Sequence, residues 1–537
     1  MATDAGRQVL KAGGSAVDAA VAAQMVLALV EPQASGIGGG AFMLHFDGKK
    51  ITAYDGRETA PAAADEKLFL GSDGKPMAFY EAVVGGRSVG VPGVVRMLEM
   101  AHKEHGRIAW AKLFEPAIAL AEQGFKVGPR LNALLTAEVH LKKDPSAAAY
   151  FYDSAGKAWP VGHVLKNPNL ASVLRRIAAE GSKAMHEGGI ASAIVAKVQS
   201  HPSNPGKLSM ADMAGYQAKK RDPLCSDYNA SNKTYVICGM PPPSSGAIAV
   251  AQILGILSNT VADDIPLQEG LPGAAWLHQY TEASRLAFAD RAQYIADPDF
   301  VAAPAGNWRS LLDPAYLAMR ADMIGKQSMK NAKAGSPGPV KVGYAPMPAQ
   351  PEFGTSHIAI VDPDGRSVSM TTTVEDVFGA RQFVDGFLLN NELTDFSFAP
   401  ADAQGLPIAN RVQPGKRPRS SMSPTFVFDR STGRLVMAVG SAGGASIIHY
   451  TAKTVYGVLH WGLNPQQAVD LPNFGSLNGP TLLEEKRFPA GTIDALKAMG
   501  HEVREIATVS GSQAVQRTPR GLLGGADPRK EGVVMGD

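Results

Sequence analysis

From Gly335 to Gly354 the chain reads GSPGPVKVGYAPMPAQPEFG, and then, without transition, becomes the alternating stretch Thr355-Ser356-His357-Ile358-Ala359-Ile360-Val361. Pro337, Pro339, Pro346, Pro348 and Pro351 exclude a helix in the first part and discourage a central strand. The second part predicts a strand. It is followed by Asp362-Pro363-Asp364-Gly365, with proline and glycine at the second and fourth turn positions, and by a return strand from Ser367 to Val374. An extended arm therefore delivers Thr355 to the head of an ordered hairpin, where it is expected to begin an inner strand.

A threonine in that place has two readings. In the plain one it is a β-branched strand residue after a loop, and on this stretch alone that is the commoner case. In the other, the chain is cut between Gly354 and Thr355 and the arm swings away. Thr355 then carries a free α-amine with a pKa of about 8, close enough to neutrality to take the proton from its own hydroxyl. That is N-terminal nucleophile chemistry.

Composition narrows the classes. In 537 residues, 45% are hydrophobic and 19% charged, ordinary for a chain that buries a large core. A net charge of +2 gives no electrostatic footprint for nucleic acid or an anionic membrane. The longest apolar run, Ala16 to Val30, is too short for a membrane span and is interrupted by Asp18 and Gln24. The opening MATDAGRQVL lacks the basic and apolar regions of a signal peptide. Cys225 and Cys238 bracket turn residues and a strand. They read either as a disulfide stapling a hairpin in an oxidising compartment or as two buried thiols. No HExxH or CxxC occurs, so no metal or cofactor is expected.

Along the chain, helices are predicted at Asp4–Lys11, Ser15–Val30, Val94–His105, Trp110–Glu122, Ala171–Gly181 and Gly189–Gln199. Gly36, Gly38, Gly39 and Gly40 follow a helix and open a strand. That order is opposite to a dinucleotide fingerprint, so close backbone packing is their expected use. After Pro241-Pro242-Pro243, Ser244 or Ser245 is expected to cap a helix to about Leu257. Trp276–Tyr294, containing EASRLAFADR, has apolar residues at three and four spacings and predicts an outer-layer helix with its charges outward. The glycine turn Gly440-Ser441-Ala442-Gly443-Gly444 joins a strand to a helix start, a geometry that presents backbone N–H groups to an anion.

Taken together, GTSHIAIVDPDG, FLLNNELTDFS, KRPRSSMSPT, GSAGG, the earlier DGRETAP and MPPPSSG resemble the γ-glutamyltransferase (glutathione hydrolase) family in order and spacing, over nearly the whole chain. The resemblance implies an α+β fold, a four-layer αββα sandwich. It implies one intertwined catalytic domain cut into residues 1–354 and 355–537, which remain associated. Thr355 would be the nucleophile and Gly443 and Gly444 the oxyanion hole. Arg57, Ser420 and Ser421 would hold the donor's α-carboxylate, with Thr373 and residue 375 beside it, and Glu392 and Asp395 its α-amine. Arg57 would be the only site residue from the first piece. The donor would be glutathione or a related γ-glutamyl amide, and the acceptor water, an amino acid or a peptide. The start of the chain falls where mature members begin, which implies a periplasmic or secreted enzyme with its export signal removed. No chemistry is expected from Pro465 to Asp537.

Two departures matter. Glu375 stands where studied members have Asn, and its extra carboxylate is expected to repel the donor's α-carboxylate. Residues 398–418 read as a loop with no Tyr or Trp to close a pocket, so a weak lid is expected. The alternatives are a glutaryl or cephalosporin-type acylase with the same nucleophile, and a periplasmic binding protein that never cleaves itself.

Overall fold

The computed structural model describes residues 1–536. Two antiparallel sheets lie face to face. The first has five strands in the order Lys219–Arg221, Ile51–Gly56, Gly40–Phe46, Ser367–Thr373 and Ser356–Val361. The second has six, in the order Gly521–Ala526, Gln513–Thr518, Leu435–Gly440, Thr425–Asp429, Lys233–Gly239 and Leu224–Ala230.

Strand alternation builds the layers. In Gly40–Phe46 the side chains of Phe42, Leu44 and Phe46 point between the sheets, where they meet Phe426, Phe428 and Ala438. Ala41 and Met43 point the other way, into a core with Val17, Val21 and Met25 of the Ala16–Val30 helix. On the far side, Val427, Met437 and Val439 face the helices Gly246–Leu257, Ala274–Tyr294 and Ile447–Leu459. Helix, sheet, sheet, helix is the αββα sandwich, and the two-residue period of each strand produces both of its inner interfaces.

Three expectations are corrected. The Ser356–Val361 strand is at the edge of its sheet rather than inside it, although Ser356 and His357 are buried. The Ala274–Tyr294 helix is buried nearly all round, charges included. Its polar side is covered by later chain: Glu282 accepts from Met329 N, Asp290 accepts from Gly335 N and Tyr316, and Arg285 donates to the carbonyls of Lys330 and Gly479. The cap expectation fails for Ser245, which makes no side-chain cap, and holds for Ser244, whose Oγ accepts from Gly246 N (3.1 Å) at the helix start. The hydroxyls of Ser245 and Ser244 also donate to the carbonyls of Ser420 and Met422, tying two distant loops together.

Cys225 and Cys238 form a disulfide across directly paired positions of the Leu224–Ala230 and Lys233–Gly239 strands, Cα to Cα 4.0 Å. Among the described residues no helix is long and apolar enough to cross a membrane.

Candidate active site

Thr355 is buried immediately ahead of the Ser356–Val361 strand. The hairpin is fixed at its far end by Asp362, whose carboxylate accepts from the backbone N–H groups of Asp364 and Arg366. At the near end the arm runs into a small cleft lined by Arg57, Thr373, Glu375, Glu392, Asp395, Ser420, Ser421, Met422, Gly444 and Ile447, and fills it to leave about 20 Å³. The candidate residues from both pieces therefore meet around the Gly354–Thr355 bond.

The arm is held by specific contacts. Gly354 has φ +23°, and a Cβ there would lie 2.2 Å from the Glu375 carbonyl oxygen, so no larger residue fits. Phe353 N donates to Glu375 Oε1 (3.1 Å). Glu352 reaches deepest: its Oε1 accepts from Arg291 Nη2 (2.7 Å) and its Oε2 from the Ser421 hydroxyl (2.6 Å). Burial opposes its charge, but Arg291, Arg419 and Ser421 outweigh the burial and hold its pKa below the ordinary value. Its backbone crosses so close to Gly444 that a Cβ on Gly444 would lie 2.0 Å from the Glu352 carbonyl oxygen. Gly443 and Gly444, both at positive φ, lead through a short turn into the Ile447–Leu459 helix.

Arg57 sits at the end of the Ile51–Gly56 strand, fully buried. Its guanidinium contacts Glu392 and Asp395 and donates to the Pro418 (3.1 Å) and Arg419 (2.8 Å) carbonyls. In this arrangement it is engaged by the two acids rather than facing an open carboxylate seat. Glu392 and Asp395 lie on one short turn, positioned by Asn390, which accepts from Glu392 N and donates to the carbonyls of Gly38 and Gly90. Here the early glycines have their use: a Cβ on Gly39 would meet the Thr373 carbonyl oxygen at 2.0 Å. Thr373 accepts from Glu375 N (2.8 Å) and so shapes the bend at residue 375, which has φ +76°.

Glu375 changes the expected electrostatics. Burial, reinforced by Asp395, Asp376 and Glu392, pushes its carboxyl well above the usual range, while Asn391 donates to Oε2. Burial likewise raises Glu58, Glu392 and Asp395, although Arg57 acts against it on each. Burial and mutual repulsion thus shift the whole acid cluster toward its protonated forms, with Arg57 as the counter-charge to Glu58, Glu392 and Asp395. The upward shift acts against the expected repulsion of an incoming carboxylate by Glu375, because it favours the neutral form of the side chain.

The residues missed by sequence reading are Arg291, Glu352, Arg419 and Lys530. Arg291 is clamped by Ser245 Oγ (2.9 Å) and contacts Ser421 Oγ. Burial and the nearby Arg291 charge lower Arg419 to about 9, which leaves it charged at neutrality. The first piece thus contributes Arg291, Glu352 and the Ser245 clamp as well as Arg57. Ser420 is a scaffold: its hydroxyl accepts from Met422 N, and its carbonyl takes the Ser245 hydroxyl. His357, two residues after Thr355, is driven down to about 3 by burial and pairs with Thr371, so it is a neutral packing group.

The 398–418 loop is ordered by the buried Lys416, which donates to the carbonyls of Ala409 and Arg411 and to Gln413. His278, Glu282 and His501 also come within ligand reach of one another. The two imidazoles already bond each other, the Gly325 carbonyl and Thr481, and Glu282 pairs with Arg285. This is a structural network and does not fit a metal.

This architecture, with a buried threonine heading an edge strand of an αββα sandwich, defines an N-terminal nucleophile hydrolase fold. The gamma-glutamyltranspeptidase family profile matches residues 2–537, and the chain belongs to that family. It is 35% identical to a glutathione hydrolase proenzyme of Bacillus subtilis, covering 100% of this chain and 90% of the relative. It is 36% identical to a glutathione hydrolase proenzyme of Escherichia coli, covering 98% and 89%. Among solved structures it is similar to a cephalosporin acylase from Bacillus halodurans, with a TM-score of 0.84, 26% identity and coverage of 99% and 94%.

Proposed function

We propose that the chain is the precursor of a self-processing γ-glutamyltransferase and glutathione hydrolase. In the first stage the Thr355 hydroxyl attacks the Gly354 carbonyl, the peptide nitrogen becomes a free amine as the acyl group moves to oxygen, and water cleaves the resulting ester. Residues 1–354 and 355–537 would remain together because each sheet joins strands of both, Gly40–Phe46 to Ser367–Thr373 in the first and Lys233–Gly239 to Thr425–Asp429 in the second. In the second stage the Thr355 α-amine takes the hydroxyl proton as Oγ attacks the γ-amide of the donor. Gly443 and Gly444 receive the oxyanion, the proton passes to the leaving amine, and the Thr355 ester is cleared by water or an amino-acid or peptide amine. No further group is needed to balance these steps.

The observation that carries this reading is the position of Glu352. An arm carboxylate sits on Arg291 and Ser421 two residues before Gly354, while Glu392 and Asp395 lie in the same cleft. Withdrawal of the arm would leave a carboxylate seat next to an acid-rich pocket suited to an ammonium group. A γ-glutamyl head has both charges, and a glutaryl head only the first, so the amine pocket favours γ-glutamyl over the acylase reading. The disulfide fits export to an oxidising compartment, the periplasm or the exterior.

N-terminal sequencing of the purified protein, beside a T355A control, tests the first stage. A second terminus reading Thr-Ser-His-Ile, absent from the control, is the expected result. A single intact and inactive chain would overturn the reading. Hydrolysis of γ-glutamyl against glutaryl anilides tests the second stage.

A further inference from the structure

Lys530 lies in the segment to which sequence reading assigned no chemistry. It closes a short turn, Pro528–Lys530, after the Gly521–Ala526 edge strand of the second sheet. The turn is rigid. Asp527 accepts from Ser510 Oγ and Ser512 N, and Arg529 bridges Glu484 and Asp527. Lys530 is 7% exposed, and its ammonium donates to the carbonyl oxygen of Thr355 at 3.1 Å.

We propose that Lys530 is a positioning residue for the nucleophile, and that its charge keeps the α-amine of processed Thr355 unprotonated near neutral pH. The inference rests on the two-stage reading above. The amide nitrogen and carbonyl oxygen of one residue are within about 3.6 Å of each other, so Nζ is within about 7 Å of the nitrogen that becomes the amine. A unit positive charge at that range lowers an amine's pKa by about half a unit to nearly two units, between aqueous and protein-like screening. The amine must be free to take the hydroxyl proton, so the direction of the shift favours catalysis.

The surrounding charges are consistent with this. Glu31, at the end of the Ala16–Val30 helix, accepts from Ser356 Oγ (3.0 Å) and acts on Lys530 with opposite charge, but burial raises its pKa and weakens its opposition. Arg130 adds positive charge to the same group, while Asp527 and, through Glu31, Glu531 act the other way. On the arm side burial and neighbouring acids push the Glu375 pKa up, which weakens its charge, and Glu352, which pairs with Arg291, would leave with the arm. Burial lowers Lys530 to about 8, so at neutrality it still carries its proton.

The test is the pH profile of kcat/KM for a γ-glutamyl anilide, measured on cleaved enzyme, for wild type, K530R and K530Q. The glutamine keeps an N–H donor for the Thr355 carbonyl but removes the charge. The expected result is that the acidic limb moves up by about half a unit or more in K530Q and stays in place in K530R. A merely structural lysine would lower the plateau and leave the limb where it was, and an unmoved limb in active K530Q would overturn the proposal. If K530Q is not cleaved, K530M and K530R decide the matter by the same limb. Failure of wild type to cleave or to turn over the anilide would instead overturn the functional reading itself, so the two failures are distinguishable.

Discussion

Replacing Arg291 with glutamine should weaken the cleaved enzyme toward substrates that carry an α-carboxylate. In the precursor, Arg291 Nη2 lies 2.7 Å from Glu352 Oε1 while Ser421 holds Oε2 at 2.6 Å. The pair is almost dry, with side-chain exposures of 7% and 12%. Once the arm has gone, the guanidinium is fixed in place by Ser245 with its acid partner removed. A charge-assisted hydrogen bond of this kind contributes about 1.5–3 kcal/mol. Its loss corresponds to about 10- to 150-fold in kcat/KM, and it should appear mainly in KM because the seat is remote from the reacting carbonyl. The assay compares a γ-glutamyl anilide with a 4-aminobutyryl anilide, which has the amine and lacks the carboxylate. R291Q should impair only the first, and R291K should recover part of the loss. An equal loss on both substrates would show that Arg291 merely holds the fold, and no loss on either would refute the carboxylate seat.

Gly354→Ala should slow self-cleavage at least tenfold on a gel time course, since its Cβ would be driven into the Glu375 carbonyl at 2.2 Å; wild-type kinetics would show that the arm docks differently. Glu375→Gln should alter the pH dependence of stability. With its folded pKa raised, Glu375 keeps its proton in the fold while the unfolded chain loses it above about pH 4.3, so wild-type stability falls as pH rises toward the folded value. Melting temperatures should therefore diverge in favour of E375Q as pH rises above the ordinary glutamate range, and parallel curves would mean that Glu375 is ionised in the fold. Replacing Cys225 and Cys238 together with serine should cost about 2–4 kcal/mol in denaturant unfolding, and a reductant should have the same effect on wild type but none on the double variant.

The sequence made legible whatever depends on local pattern. The hairpin from Ser356 to Thr373, the arm before it and the strand ending in Arg57 were all readable from period, turn residues and prolines. What escaped depends on contacts across long separations. Arg291 reads as one charge on an amphipathic helix, and only contacts such as that with Glu352, 61 positions further along the chain, turn that face inward. Ser244 and Ser245 have the pattern of a cap, and Ser244 makes one to Gly246 N, but nothing local shows that both hydroxyls also donate to carbonyls 175 or more residues away. Glu375 announces a negative charge in any sequence. Its upward pKa shift comes from burial and from Asp395, Asp376 and Glu392 gathering around it, and spacing carries no sign of that.

On the proposed reading, these long-range contacts would keep the site of the precursor closed. The arm satisfies the polar groups that a substrate would satisfy later: Glu352 occupies Arg291 and Ser421, and Phe353 N occupies Glu375. A buried guanidinium left without a partner costs several kcal/mol, so the folded precursor is stabilised by the same seat that would bind a substrate. Cutting after Gly354 turns that contact from intramolecular to intermolecular. The arm then stays only if its end remains close, and a free carboxylate can compete for the place. On the proposed reading, processing and substrate access are one event, because the bond that creates the α-amine is also the tether that holds Glu352 in the seat.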